Sequence, residues 1–128
     1  MTPKQARDYL LKKHKTHECF PFGADIAVFK VIDKMFATLA EGHTLPERAN
    51  AGDFYWMNLK CEPHEALILR DIFPSIIPGY HMSKVHWNTV ILDGSIPQGE
   101  IERLIDLSYE LVVKSLPKYK QKTILQSM

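Results

Sequence analysis

Apolar residues recur at two different periods along this chain, and each change of period marks an element. Residues 3–14 place Ala6, Tyr9, Leu10 and Lys13 on one face and turn Arg7 and Lys12 away, the spacing of an amphipathic helix. Thr2 is placed to cap that helix, and Pro3 suits its first turn. "ECFPFG" (18–23) is a short extended piece closed by Pro21 and Gly23. "IAVFKVI" (26–32), rich in β-branched and aromatic residues, predicts a strand; Asp33-Lys34 serves as a two-residue turn, and "MFATLAE" (35–41) returns. Gly42–Asp53 is a polar loop holding Pro46 and Gly52. "YWMNLKC" (55–61) alternates, with Tyr55, Met57, Leu59 and Cys61 on one face and Trp56, Asn58 and Lys60 on a wetter one.

The second half repeats the alternation of periods. Residues 62–73 begin with Pro63 in a first turn flanked by acids, as a helix does. Pro74, Pro78 and Gly79 break the chain, and "WNTVILD" (87–93) predicts a further strand. Ser95 followed by Gln98 approximates a capping box for a last helix, whose stripe is Ile101, Leu104, Ile105, Ser108, Leu111 and Val112 and which Pro117 ends. Residues 119–128 then read as a loosely docked tail. The order α-β-β-β-β-α-β-α implies an α+β fold of two layers, an antiparallel sheet with helices packed on it.

Composition narrows the class. At 128 residues, 45% hydrophobic and 24% charged, the chain is one soluble domain with one core, spanning 1–128. No apolar run reaches the roughly 18–20 residues a bilayer needs, and the N-terminus does not read as a secretory signal. Cys19 and Cys61, without a CxxC, then point to two reduced thiols in a cytoplasmic protein. The net charge of +1 hides an uneven distribution. Residues 1–15 carry Lys4, Arg7, Lys12, Lys13 and Lys15 against Asp8 alone, residues 114–122 carry lysines and no acid, and the body between is acidic. If the ends meet, Lys12, Lys13, Lys118 and Lys120 form a cationic surface suited to phosphates.

Candidate chemistry is sparse. No glycine-rich phosphate loop, HExxH, GxSxG or GxGxxG occurs, so no catalytic residue and no cofactor is assigned. His14, His17 and Cys19 form an H-x2-H-x-C cluster that lacks the fourth ligand zinc wants, so no metal site is assigned. Cys61, on the inward strand face, reads as an inert buried thiol. Ser108 reads as a small residue letting helix and sheet approach closely, and Asp106 with Glu110 as a solvated helix flank. The segment from Pro78 is denser, placing Tyr80, His81, Lys84, His86 and Trp87 within eight positions. These rings and this cation either contact a ligand or nucleic acid, or clamp the loop onto the sheet.

The stretches "FPFG" (20–23), "VFKVIDKMFATL" (28–39), "NLKC" (58–61), "PGYHMSKVHWNTVILDGSIP" (78–97) and "LIDLSYELVVKSLPK" (104–118) resemble the MmcQ/YjbR family of small bacterial proteins. That resemblance implies a two-layer α+β fold akin to CyaY-like and secretion-chaperone domains, and a non-enzymatic role without metal or cofactor. It also implies DNA as partner, with Gly42–Asp53 and Pro74–Trp87 as wing-like elements. The DNA-contacting set is then Tyr80, His81, Lys84, His86 and Trp87, with Lys12, Lys13, Lys118 and Lys120 supplying attraction. The alternative is a module for a protein segment or a small ligand, a planar drug for example, held by the sheet face and the 78–87 loop. The expected state is monomer or homodimer, away from membranes.

Overall fold

The structure, a computed structural model, describes residues 1–46, 49 and 52–126. Thr2 Oγ1 accepts from the Gln5 amide at 3.1 Å while Gln5 Oε1 accepts from the Thr2 amide at 2.9 Å, a reciprocal cap that starts α1 (Pro3–Lys12). The chain continues through β1 (Thr16–Cys19), β2 (Ile26–Val31), β3 (Lys34–Ala40), a 3-10 turn (Gly42–Thr44) and β4 (Trp56–Lys60). Then come α2 (Pro63–Ile72), β5 (Ile76–Pro78), β6 (Trp87–Ile91), α3 (Gln98–Ser115) and α4 (Lys118–Gln126). Among the described residues, these six strands make one antiparallel sheet in the order β1-β2-β3-β4-β6-β5. No helix among the described residues is long and apolar enough to cross a membrane.

Among the described residues, the four helices lie on one face of the sheet. Ala6 and Leu10 of α1, Ala66 and Leu69 of α2, Ile101, Ile105 and Val112 of α3, and Ile124 of α4 meet Phe29, Leu39, Met57, Leu59 and Val90 from the strands in one core. Burial of that apolar surface is the main stabilising term. The predicted faces of β4 hold, since Met57, Leu59 and Cys61 point into this core. Ser108 fixes the spacing of the layers. Its hydroxyl, fully buried, donates to the Phe36 carbonyl at 2.6 Å and accepts from the Lys60 amide at 2.9 Å. Ala37 pairs with Leu59 one residue earlier, so the helix side chain bridges the two strands where their own ladder stops.

Several elements depart from the sequence expectation for local reasons. The hairpin turn is Ile32-Asp33 rather than Asp33-Lys34, because Val31 pairs with Lys34. Ile32 takes φ 59°, an unfavourable value for a branched side chain, and is held there by packing against the core. The piece beginning near Glu18 is the end of a true edge strand, with Cys19 opposite Val28. β5 was not expected; it is three residues long and ends in Pro78, as an edge strand can. Ser95 does not cap α3, whose N-cap is Pro97. Its amide and hydroxyl turn instead to Asp93 Oδ1, at 3.0 and 2.6 Å. Residues after Pro117, read as a loose tail, form α4 through Gln126, with Ile124 in the core and Lys120 Nζ 2.7 Å from Asp33 Oδ2.

Replacing Ser108 by Ala leaves a buried carbonyl and a buried amide without their partner. The expected loss is about 2–4 kcal/mol of unfolding free energy, read as a melting temperature lower by about 10 °C. A change of less than a degree in thermal unfolding contradicts the bridging role.

Candidate functional site

The sheet face opposite the helices is not the wetter surface that alternation in β4 predicted. Trp56 and Asn58 are each 3% exposed. Trp56 packs with Ala40, Leu45 and Ile91, and its indole N–H donates to the Glu41 carbonyl at 3.1 Å and to Thr44 Oγ1 at 2.9 Å. The segment after β3 therefore closes over one end of this face. The turn after β5 closes over the other. Between them lies a cavity of about 400 Å³. Its floor is Ile26 of β2, Met35 and Thr38 of β3, and Trp56 and Asn58 of β4; Phe22 forms one wall and Tyr80, His81 and Met82 the other.

A small polar network sets the turn above that floor. Asn58 Oδ1 accepts from Thr89 Oγ1 at 2.5 Å, and Asn58 Nδ2 donates to the Tyr80 carbonyl at 3.0 Å. The Tyr80 amide donates back to Thr89 Oγ1 at 2.9 Å. Neighbouring strands β4 and β6 thus hold both backbone groups of Tyr80. Its ring meets Trp56 edge-on, with centroids 6.0 Å apart and planes at 79°, and the His81 ring lies 4.0 Å from it. His81 itself adopts φ 58°.

The base of the loop is fastened from the helix side. Arg70 of α2 donates Nε to Asn88 Oδ1 at 2.7 Å and Nη2 to the Trp87 carbonyl at 3.3 Å and to the Lys84 carbonyl. Lys84 Nζ turns back to the Gly79 carbonyl at 2.9 Å. Gly79 must be glycine for this closure, since a Cβ there would stand 2.7 Å from Trp87 Cβ.

The structure brings together only part of the residues singled out in the sequence. Tyr80 and His81 line the cavity; Lys84 braces the loop; His86 is exposed, and its carbonyl accepts from the Cys61 amide at 2.8 Å; Trp87 is half-buried at the start of β6. Lys12, Lys13, Lys118 and Lys120 belong to the α1 end and α4, on the opposite, helical layer. Lys13 pairs with Asp106 and sits 5.3 and 5.7 Å from the Tyr9 and Tyr109 ring centres, and Lys120 pairs with Asp33. Asp106 is therefore more than a solvated flank, also accepting from the Tyr9 hydroxyl at 2.8 Å. Of the two wing-like segments, 74–87 is β5 and the cavity turn, while Glu47, Arg48, Asn50 and Ala51 lie outside the described residues. Sequence reasoning missed Phe22, Met35, Thr38 and Met82 as lining and Arg70 as brace. Only the alternation grouping Trp56 with Asn58 carried a signal.

Other reactive groups are elsewhere. Asp25, Glu41 and His43 bring their donor atoms within 4.8 Å of one another, a set chemically able to hold a cation. His43 Nε2 lies 3.0 Å from Asp25 Oδ2, and hydrogen bonding to Glu41 and His43 lowers the Asp25 carboxyl below its usual range. His14, His17 and Cys19 do not form such a group among the described residues, and His14 Nε2 is buried without a hydrogen-bond partner. Burial, helped by Glu65 and Glu62, pushes the Cys61 thiol up to about 11.

Comparison with known proteins places these features in a wider set. The sequence model of the family described as YjbR matches residues 11–111. The chain is 32% identical to the uncharacterized protein YjbR of Escherichia coli (strain K12) over 126 residues, 98% of this chain and 99% of the other. It is 38% identical to the uncharacterized protein YbdF of Escherichia coli O157:H7 over 106 residues, 83% of this chain and 80% of the other. The crystal structure of Deinococcus radiodurans protein DR2400 matches with a TM-score of 0.81 at 33% identity, covering 96% of this chain and 87% of that one. A crystal structure of a Pseudomonas syringae protein matches at 0.73 with 35% identity, covering 87% and 98%.

Two outcomes check this geometry. Arg70→Ala should speed amide exchange across 79–87 by about tenfold while leaving α3 unchanged, an opening confined to the loop; unchanged exchange in 79–87 contradicts the brace. With its thiol pushed up to about 11 by burial, Cys61 stays protonated at pH 8. A disulfide reagent should therefore label the half-buried Cys19 in the native protein and Cys61 only after denaturant.

Proposed function

The chain belongs to the YjbR family, and we propose that its sheet-face cavity binds a small, largely apolar molecule and releases it chemically unchanged. The cavity carries this reading. Its volume of about 400 Å³ falls in the range of small-molecule sites. Rings from Phe22, Trp56 and Tyr80 and thioethers from Met35 and Met82 surround it, with Thr38 and Asn58 as the polar residues of the floor and His81 on the wall. Methionine beside aromatic rings suits a site that adapts its shape to a ligand. A binding rather than a catalytic role is favoured because the Thr38 hydroxyl, the aliphatic one in the cavity, accepts from the Asn58 amide at 3.1 Å while the His81 ring lies against Tyr80, so the two are not set as nucleophile and base.

The phosphate reading draws on Lys12, Lys13, Lys118 and Lys120. Two of these, Lys13 and Lys120, are paired with carboxylates, and all four lie on the layer away from Tyr80 and His81. Neutralised ammonium groups release fewer counterions from a nucleic acid.

A thermal-shift screen of neutral aromatic fragments beside a DNA duplex tests the proposal. A fragment at a hundred times its Kd should stabilise the fold by about 2.7 kcal/mol. Met82→Trp, which fills the cavity from the turn, should abolish that shift without lowering the melting temperature of the free protein. Stabilisation by the duplex alone, fading as salt rises, overturns the proposal in favour of nucleic acid, and a screen in which no fragment stabilises the protein overturns it outright.

A further inference from the structure

We infer that the cavity selects an uncharged aromatic ligand carrying a hydrogen-bond acceptor, a carbonyl-type oxygen or ring nitrogen, on its inward edge. This rests on the ligand-binding reading above and specifies what that ligand must offer. The polar atoms of the cavity wall, the Tyr80 hydroxyl and the His81 imidazole, sit on the turn; those of the floor decide what meets a ligand's inner end. The Trp56 indole N–H is unavailable, being engaged by Glu41 and Thr44 on the far side. Asn58 Oδ1 is engaged by Thr89 and one hydrogen of Asn58 Nδ2 by Tyr80. Thr38 Oγ1 accepts from the Asn58 amide, and its own O–H has no acceptor among the described residues. The floor is therefore left with two donors, the Thr38 hydroxyl proton and the second Asn58 amide proton, both on residues at most 5% exposed.

The surroundings set the remainder of the ligand. Among the described residues no Asp, Glu, Lys or Arg lines the cavity, and His81 lies on the turn against Tyr80 rather than at the floor, so the inner end offers a charged ligand no counter-charge. Trp56 and Tyr80 stand at 79° to each other. A flat ring that stacks on one presents its edge to the other, the two arrangements aromatic pairs favour. An acceptor at the inner end of that ring then reaches the Thr38 hydroxyl, giving a partner to a donor otherwise left dry.

Three matched probes separate the parts of this inference: 2-acetylnaphthalene, 2-ethylnaphthalene and 2-naphthoate, each titrated by calorimetry against the intact chain. The ketone should bind roughly tenfold more tightly than the hydrocarbon, the discrimination of one hydrogen bond in a buried site, and the carboxylate should bind worst. Thr38→Val should bring the ketone down to the hydrocarbon's affinity and leave the hydrocarbon unchanged, while Thr38→Ser retains the preference. Equal binding of ketone and hydrocarbon, or a preference undiminished in Thr38→Val, overturns the acceptor inference while leaving the cavity reading standing. Tightest binding by the naphthoate overturns the requirement for an uncharged ligand. Binding of none of the three overturns the cavity reading itself.

Discussion

The architecture turns on one hydroxyl. Ser108 stands where α3 crosses the junction of β3 and β4, and its oxygen satisfies a strand carbonyl and a strand amide at once. A longer side chain at that point would push the helix off the sheet, and an alanine would strand two buried polar groups. The bond therefore does what packing alone cannot: it sets both the height of α3 and its register along the strands. With the four described helices gathered on that side, the opposite face of β2, β3 and β4 is left for loops to cover.

That second face is enclosed by a different kind of interaction. Helices bury one face by apolar area; the other is roofed by a few hydrogen bonds, Asn58 donating to the Tyr80 carbonyl and Thr89 accepting from the Tyr80 amide. Such a roof is thin but well placed, because β4 and β6 are adjacent and both are locked into the sheet. The space beneath it is a consequence of loops spanning a sheet without filling it. Arg70 ties this roof to the helical layer, bonding at the edge of the sheet to Asn88 and to the carbonyls of Lys84 and Trp87. A disturbance of α2 thus has a direct route to the cavity turn.

Much of the scaffold was legible in the sequence because its elements are locally self-consistent. The stripe of α3, the alternation of β4 and the branched run of β2 each state their own period. β5 and α4 do not. Ile76-Ile77-Pro78 is too short for a period and becomes a strand only because β6 lies beside it. In α4 one residue, Ile124, is buried, and the helix is placed by that contact and by Asp33, some 87 positions earlier. The cavity divides the same way. Tyr80 and His81 drew notice as an excess of chemistry on one loop, whereas Thr38 and Met35 are ordinary strand residues until pairing sets them beside Trp56 and Asn58. Trp56 and Asn58 were assigned to the right face but the wrong environment, since alternation reports direction and not what a distant segment covers.

The short fifth strand also settles how this sheet ends. An open edge normally offers a row of amides to any passing chain. On either side of β5 the Gly79 amide donates to the Trp87 carbonyl and the Ile91 amide of β6 donates to the Ser75 carbonyl, which leaves positions 76 and 78 to face outward. The Ile76 amide is already engaged by the Phe73 carbonyl at 3.0 Å, and Pro78 has no amide hydrogen at all. This border offers a further strand carbonyls but no free amide at 76 or 78, so it is a poor template for extending the sheet.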